Sequence, residues 1–316
     1  VQQTLSCRIL SASPDTIHWG YLDGRLAPAI TIADGELLRI ETVSGSRRSL
    51  PPPGCGYETL PEHLRILEHC RPELGPHILT GPVAITGAQP GDRLIVRFLS
   101  ISLRQNWGWN AIEPGFGLLP EIAERYDCVT AGINRDAGQI KLPWGATISA
   151  RPFFGIMAVA PALDLGRITS VIPGPFGGNI DCRMLVAGTE LHLPVFRPGA
   201  LFSAGDGHAA QGDGEVCDTA IEVALTGMFS FRLQPGNGLE FPEAHTPDAH
   251  ITMAVADDLD TAAKEATRRM IVLLQERYAL SRTEAYRHCS ICGSLRVTQA
   301  VNVRKGVHMM VPRLRD

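Results

Sequence analysis

Only one stretch of this 316-residue chain sustains helical periodicity over many turns. In DDLDTAAKEATRRMIVLLQERYAL (257–280), apolar residues recur at 259, 262/263, 266, 270, 273/274 and 278, near a 3.6-residue period. Asp258 or Asp260 can cap its start. Ser281 and Glu284 in SRTEAYRHC fit a capping box for a second helix. LPEHLRILEHC predicts a short helix beginning near Pro61. Elsewhere apolar residues come in short runs broken by Asp-Gly and Pro-Gly, as in ITIADGELLRIETVSG (30–45) and AQPGDRLIVRFLSI (88–101). That punctuation reads as strands and turns. SVIPGPFGGNIDCRMLVAGTELHLPVF (170–196) reads as a glycine-rich loop followed by two strands joined through Ala187-Gly188. The chain is therefore β-rich, with one main helix and a few short ones near the C-terminus.

A chain of this length can bury a large core. We place a β-rich part at 1–165, with a loop and helix insertion near 50–75. The second part, 166–316, holds glycine-rich loops, further strands and the C-terminal helices; the two parts form one integrated unit. Apolar residues make up 44% and charged residues 20%, with a formal net charge of -4. No basic run marks a nucleic-acid binder, and no apolar stretch approaches the roughly 20 residues of a membrane span. GDGHAAQGDG lacks the G-x-G-x-x-G order, and its acids repel phosphate. The N-terminal VQQTLSC lacks the charged and apolar regions of a secretory signal. Eight irregularly spaced cysteines fit reduced thiols in a cytoplasmic protein. Cys289-x-x-Cys292 reads as ordinary packing.

The chemistry concentrates in LFSAGDGHAAQGDGEVCDTAIE (201–222), where Asp206, Asp213, Glu215, Asp218 and Glu222 surround His208. No Lys or Arg occurs from Pro198 to Phe231. Asp206 and His208 are two apart, as are Asp213 and Glu215. On an extended backbone such pairs share a face. A wet turn with two Asp-Gly corners is the simpler reading. Against it, charges next to buried strands need a partner, and a divalent ion would relieve their repulsion. Asn179 and Asp181, also two apart, read as a second pair or as an Asx-turn. His77 and His18 are candidate ligands or satisfied core histidines. His245 and His250 flank a Pro-Asp loop and are weaker candidates, and His63 and His69 read as surface residues of the short helix. Cys217 has no neighbouring histidine in the sequence to activate it as a nucleophile.

SAGDGHAAQGDGEVCDTAIE (203–222) resembles the acetamidase/formamidase family. HILTGPVAITGAQPGD (77–92), NWGWNAIEPGFGLL (106–119), RPFFGIMAVAP (151–161), PGPFGGNIDCR (173–183) and LRVTQAVNVRKGVHMMVP (295–312) extend the resemblance over almost the whole chain. It implies a β-sandwich or jelly-roll-like body with a smaller α/β portion containing the C-terminal helix. It also implies a cytosolic homo-oligomer, a dimer or tetramer, that hydrolyses a small carboxamide to carboxylate and ammonia with a bound divalent metal. Zinc is the expected metal, with calcium at a second site. The chain departs from the family pattern at Asp218, where glycine is more common, and at Gly207 and Phe176.

On this resemblance, a zinc-like ion is held among His18, His77, Asp206 and His208, with Asp181 and Asp213 as further candidates. Glu215, or else Glu222, takes the proton of the attacking water. Asn179 or a backbone N–H donates to the amide oxygen. Trp107, Trp109, Phe116 and Phe176 are candidates for the pocket wall. Hydrolysis of a lactam, cyclic imide or N-substituted amide is an alternative on the same scaffold. A metal-stabilised binding module without catalysis is the alternative from another class.

Overall fold

The computed structural model describes residues 7–314 except 237; the reading of the N-terminal leader falls mostly on residues 1–6, outside them. Among the described residues the fold is a mixed α+β arrangement dominated by sheet, with its longer helices at the C-terminal end. Helix α1, Pro61–His69, starts at its proline, where the missing N–H costs nothing. Helix α2, Leu259–Tyr278, is capped by Asp258, whose side chain accepts from Thr261 N, and helix α3, Arg282–Cys292, opens with the Ser281–Glu284 capping box. The apolar stripe of α2, including Ala262, Ala266, Met270 and Leu274, packs on Ala254, Val307, Met309 and Val311. Among the described residues no helix is long and apolar enough to cross a membrane.

Two large sheets form the body. The first runs, in spatial order, through Arg8–Leu10, Leu37–Glu41, Leu225–Gln234, Arg93–Leu103, Glu190–Pro194, Glu243–His245, Ala249–Ala256, Lys305–Pro312 and Ser294–Gln299. The second runs through Thr147–Ser149, Gln139–Lys141, Asp127–Asn134, Trp107–Ile112, Ile221–Glu222, Phe202–Ala210, Phe153–Ala158 and Gly177–Asn179. Strand Ile78–Ile85 joins it along the first half of Phe202–Ala210. Both sheets draw strands from either side of residue 165. Between Asn179 and Glu190 the chain differs from the expected pair of strands. Strand Glu190–Pro194 follows Ala187-Gly188, but no strand precedes them, because Ile180 and Asp181 turn to donate their backbone N–H groups to Gly155 O.

One apolar cluster spans both sheets. At its centre Phe229 meets Phe98, Phe154, Phe202 and Phe231, with ring centroids 5.6, 5.5, 6.3 and 6.2 Å away. All five rings are fully buried. Replacing Phe229 with Ala removes contacts to both sheets at once. It is expected to cost about 3–5 kcal/mol, read as a lower midpoint of urea denaturation.

Three histidines of the first sheet, His192, His250 and His308, are also buried. Burial pushes their pKa values down to about 3, about 4 and about 4, and His245 adds to the effect at the first two. His250 Nε2 is paired with the Tyr278 hydroxyl of α2 at 2.7 Å. Because the folded values lie below the ordinary 6.5, this contribution to stability is complete above pH 6.5 and is lost as pH falls toward 4. The melting temperature is expected to drop steeply across that window. His250→Gln should flatten the drop; an unchanged slope would show that His250 does not carry it.

Candidate active site

Strand Phe202–Ala210 organises the site, because three strands pair with it. Phe153–Ala158 runs along one edge; Ile78–Ile85 and Ile221–Glu222 divide the other. The registers Phe153↔His208, His208↔Glu222 and Glu222↔Trp109 set four side chains in one row across the sheet. Opposed residues of an antiparallel pair share a face. His208 packs edge-on against Phe153, with ring centroids 5.0 Å apart. Asp206, two residues back, lies on the same face. Its neighbour across the sheet is Gly155. A Cβ there would sit 2.5 Å from both Asp181 Oδ1 and Asp206 Oδ2, and 2.7 Å from His208 Cε1. The missing side chain of Gly155 is therefore the space in which the acids meet. Its carbonyl accepts from Ile180 N and Asp181 N, both at 3.1 Å, which brings Asp181 in from the neighbouring loop.

The result is a buried set of four carboxyl groups around one imidazole. His208 Nε2 lies 3.2 Å from Glu222 Oε1, 3.3 Å from Asp206 Oδ2 and 3.9 Å from Glu215 Oε1. Despite these distances, neither ring nitrogen of His208 makes a hydrogen bond, and neither does Asp181 Oδ1. Glu222 is held at both oxygens: Ala220 N donates to Oε1 at 3.0 Å and Ser44 Oγ to Oε2 at 3.2 Å. Asn302 Nδ2 donates to Asp181 Oδ2. With its amide oriented to satisfy both ends, Asn179 donates to Asp181 Oδ2 (3.3 Å) and Asp206 Oδ2 (3.2 Å) and accepts from Asn302 Nδ2 (2.9 Å). Eight described residues other than glycine have positive φ, and four are acids of this region: Asp181 at 51°, Asp206 at 54°, Glu215 at 45° and Asp218 at 71°. Such backbone is held only where surrounding structure enforces it.

Burial and mutual repulsion set the charge of the cluster. Burial, then the charge of Asp206, pushes Asp181 up to about 8. Burial and Asp181 raise Glu215 well above the carboxylate range. Burial raises Glu222 against the opposing pull of His208. Burial also works against the Asp206 carboxylate, but the charges of His208 and His77 outweigh it and hold its pKa well below the usual range. For His208 burial is outweighed by Glu222 and Asp206, which favour the imidazolium. The acids must share protons or a cation. Two overlapping triads, Asp181–His208–Glu215 and Asp206–His208–Glu222, each bring three ligand atoms within 4.8 Å of one another and could hold a metal ion. Carboxylates with one imidazole are the donors a borderline divalent ion takes. The nitrogens of His208 and Asp181 Oδ1, which make no hydrogen bond, fit that use.

Not every expected residue joins this set. His18 is buried but satisfied: its Nδ1 meets Tyr21 O at 2.5 Å and its Nε2 meets Ser203 Oγ at 2.9 Å. It has no nitrogen left for a metal. Asp213 is half-exposed and lies 3.6 Å from both Arg183 and Arg296. Gly214 and Glu215 have left-handed backbone, so the Asp213–Glu215 spacing does not place both side chains on one face. The counter-charge missing from the local sequence comes for Asp213 from distant arginines. His77 lines the cleft, with Nδ1 at 2.8 Å from Ser170 Oγ. Asn179 reaches the cluster, but its amide hydrogens go to Asp181 and Asp206, which makes it a positioning residue. His63 is buried rather than on the surface, its Nε2 facing Gly45 O at 3.0 Å. His245 belongs with His192 and Glu243 to another group close enough for a metal. There, however, Arg93 Nη1 lies 2.8 Å from Glu243 Oε1 and 3.2 Å from His192 Nδ1, and supplies the positive charge itself. Gly155 and Asn302 were missed. A glycine inside the apolar run RPFFGIMAVAP does signal close approach; Asn302, lying between two valines, gives no such signal.

The cluster forms the floor of a cleft of about 870 Å³ whose lining includes Asp181, Asp206, Glu215 and Glu222. Trp109 and Phe116 line it, whereas Trp107 and Phe176 are buried in the body. Burial, then Glu222 and Asp206, pushes Asp218 in the wall up to about 6.

The chain is similar to known proteins over this region and beyond it. The sequence model of the acetamidase/formamidase family matches residues 71–171 and 167–241. The chain is 26% identical to the acetamidase of Mycolicibacterium smegmatis over 204 residues, covering 46% of this chain and 50% of that protein. It is 26% identical to the formamidase of Methylophilus methylotrophus over 202 residues, covering 47% of this chain and 49% of that protein. These matches span about half the length of the curated relatives. The crystal structure of acetamidase from Bacillus halodurans superposes with a TM-score of 0.82 at 28% identity, covering 96% of this chain and 97% of that one. With more than half of its residues matched by the family model, and with the same fold as this solved structure, the chain belongs to the acetamidase/formamidase family.

Proposed function

We propose that this chain hydrolyses the C–N bond of a small carboxamide to a carboxylate and ammonia. The observation that carries the reading is the buried carboxylate–imidazole cluster at the floor of the cleft, in which the nitrogens of His208 make no hydrogen bond. The names of its relatives, acetamidase and formamidase, support the amide as substrate. Asp206, His208 and Glu222, with Asp181 beside them, would hold a divalent ion such as zinc, which when bound supplies a Lewis acid and lowers the pKa of water.

The remaining work falls to side chains. Glu215 carries the proton. Its oxygen lies farther from His208 than those of Asp206 and Glu222 do, and burial with the charge of Asp181 raises its pKa, which strengthens it as a base. It takes a proton from the attacking water and returns it to the amide nitrogen, which leaves poorly unless protonated. Glu222 is pinned by Ala220 and Ser44, so it serves as a fixed anion. Asn179 and Asn302 keep Asp181 and Asp206 in place. Activity is expected to require metal: ammonia release from formamide or acetamide should vanish with a chelator and return with zinc. Metal retained with no amide hydrolysed would favour a binding module.

Two substitutions test the assignments. Glu215→Gln should retain bound metal, by elemental analysis, and lower turnover by about 10²–10⁴-fold; near wild-type turnover would remove Glu215 from the role. Gly155→Ala places a methyl group among Asp181, Asp206 and His208. It should abolish both metal binding and turnover while the circular dichroism spectrum stays unchanged. Full metal content in that variant would show that the ion sits elsewhere.

A further inference from the structure

We infer that the amide accepted here carries a bulky apolar, arylalkyl acyl group. The inference rests on the amidase reading and concerns what occupies the cleft beyond the reacting carboxamide. A cleft of about 870 Å³ falls in the range that buries drug-sized ligands, whereas formamide and acetamide have only three and four non-hydrogen atoms. The lining of the cleft carries four aromatic side chains, Trp19, Trp109, Phe116 and Tyr126. Trp109 stands directly opposite Glu222 in the strand register and lines the cleft. Trp19 lines the same cleft, its ring fixed by Nε1 donating to Pro76 O at 2.8 Å.

Two side chains at the cleft carry a cost that a ligand would offset. Phe116 is 57% exposed and Val303 65% exposed, and both line the cleft. Large apolar surface left in water around a polar floor marks a place that something covers. Val303 also has φ 61°, an outlier for a β-branched residue. It adjoins Asn302, which holds Asp181, so one short segment supports both the reacting acids and the apolar wall. Two of the cations that line the cleft are held by neighbours. Arg48 meets Glu113 at 3.2 Å and lies over the Tyr126 ring at 3.8 Å, and Lys305 Nζ donates to Ala300 O at 2.6 Å. The aromatic and exposed apolar side chains of the wall thus favour an apolar or aromatic acyl group.

The test compares phenylacetamide with acetamide as substrates of the metal-loaded protein, read as kcat/KM from ammonia release. Phenylacetamide is expected to exceed acetamide by about 100-fold or more, since even one methylene in an apolar pocket is worth roughly 10–200-fold. Trp109→Ala and Val303→Ala should each shrink that ratio at least tenfold, mainly through KM. Acetamide hydrolysed as well as phenylacetamide overturns the inference and leaves the amidase reading standing. If neither is hydrolysed, calorimetric titration separates the two ideas. Phenylacetamide bound by the wild type and weakened at least tenfold in Trp109→Ala keeps the arylalkyl site and overturns the amidase reading; no binding overturns both. Light scattering completes the test: a Phe116→Ser or Val303→Ser protein that dissociates into smaller species assigns the exposed wall to a second copy of the chain and overturns the inference.

Discussion

Four carboxyl groups buried around one imidazole repel one another unless protons or a cation are shared among them. The rest of the site is built to hold them there regardless. Glu222 is fixed at both oxygens, Asp181 and Asp206 are bridged by Asn179, and Asn302 supports Asp181 from the far end of the sequence. Left-handed backbone is held at Asp181, Asp206 and Glu215, three of the four acids that gather there. These arrangements cost stability locally, and the two-sheet core under them supplies what holds them.

That core explains why the site lies where it does. Strand Phe202–Ala210 presents alternate residues to opposite faces, and its neighbour Phe153–Ala158 does the same. Phe154 enters the aromatic cluster while the next residue, Gly155, faces the acids; Phe202 also enters the cluster, on the face opposite Asp206 and His208, where the pairing with Ile78–Ile85 shifts register between Phe202 and Ala204. Gly207 backs directly onto Val223 O and Leu225, so the strand is clamped from behind. The polar cluster inherits its rigidity from the apolar packing one residue away.

Much of this was legible in the sequence where the physics is local. The caps at Asp258 and Ser281, the helix start at Pro61, and the shared face of Asp206 and His208 follow from spacing alone. Asn179 and Asp181 do meet, but across a turn in which Asp181 is left-handed, so their spacing on an extended strand is not the cause. Asp213 misled because the i, i+2 rule holds only on extended backbone, and Gly214–Glu215 is left-handed. His18 misled because a histidine beside an aromatic looks the same in sequence whether its nitrogens are free or bonded to Tyr21 and Ser203. The roles of Gly155 and Asn302 depend on strand pairing and loop closure across long stretches of chain, which no window of sequence contains.

The bond between Asn302 and Asp181 joins residues 121 positions apart. At about 5–20 residues per second, a ribosome reaches Asn302 on the order of 6–24 s after adding Asp181. During that interval the nascent chain carries Asp181 with Asn179 but without the second amide that holds it. The cluster is therefore finished late in synthesis, with the emergence of the segment around Asn302, well after most of the sheet strands have been made.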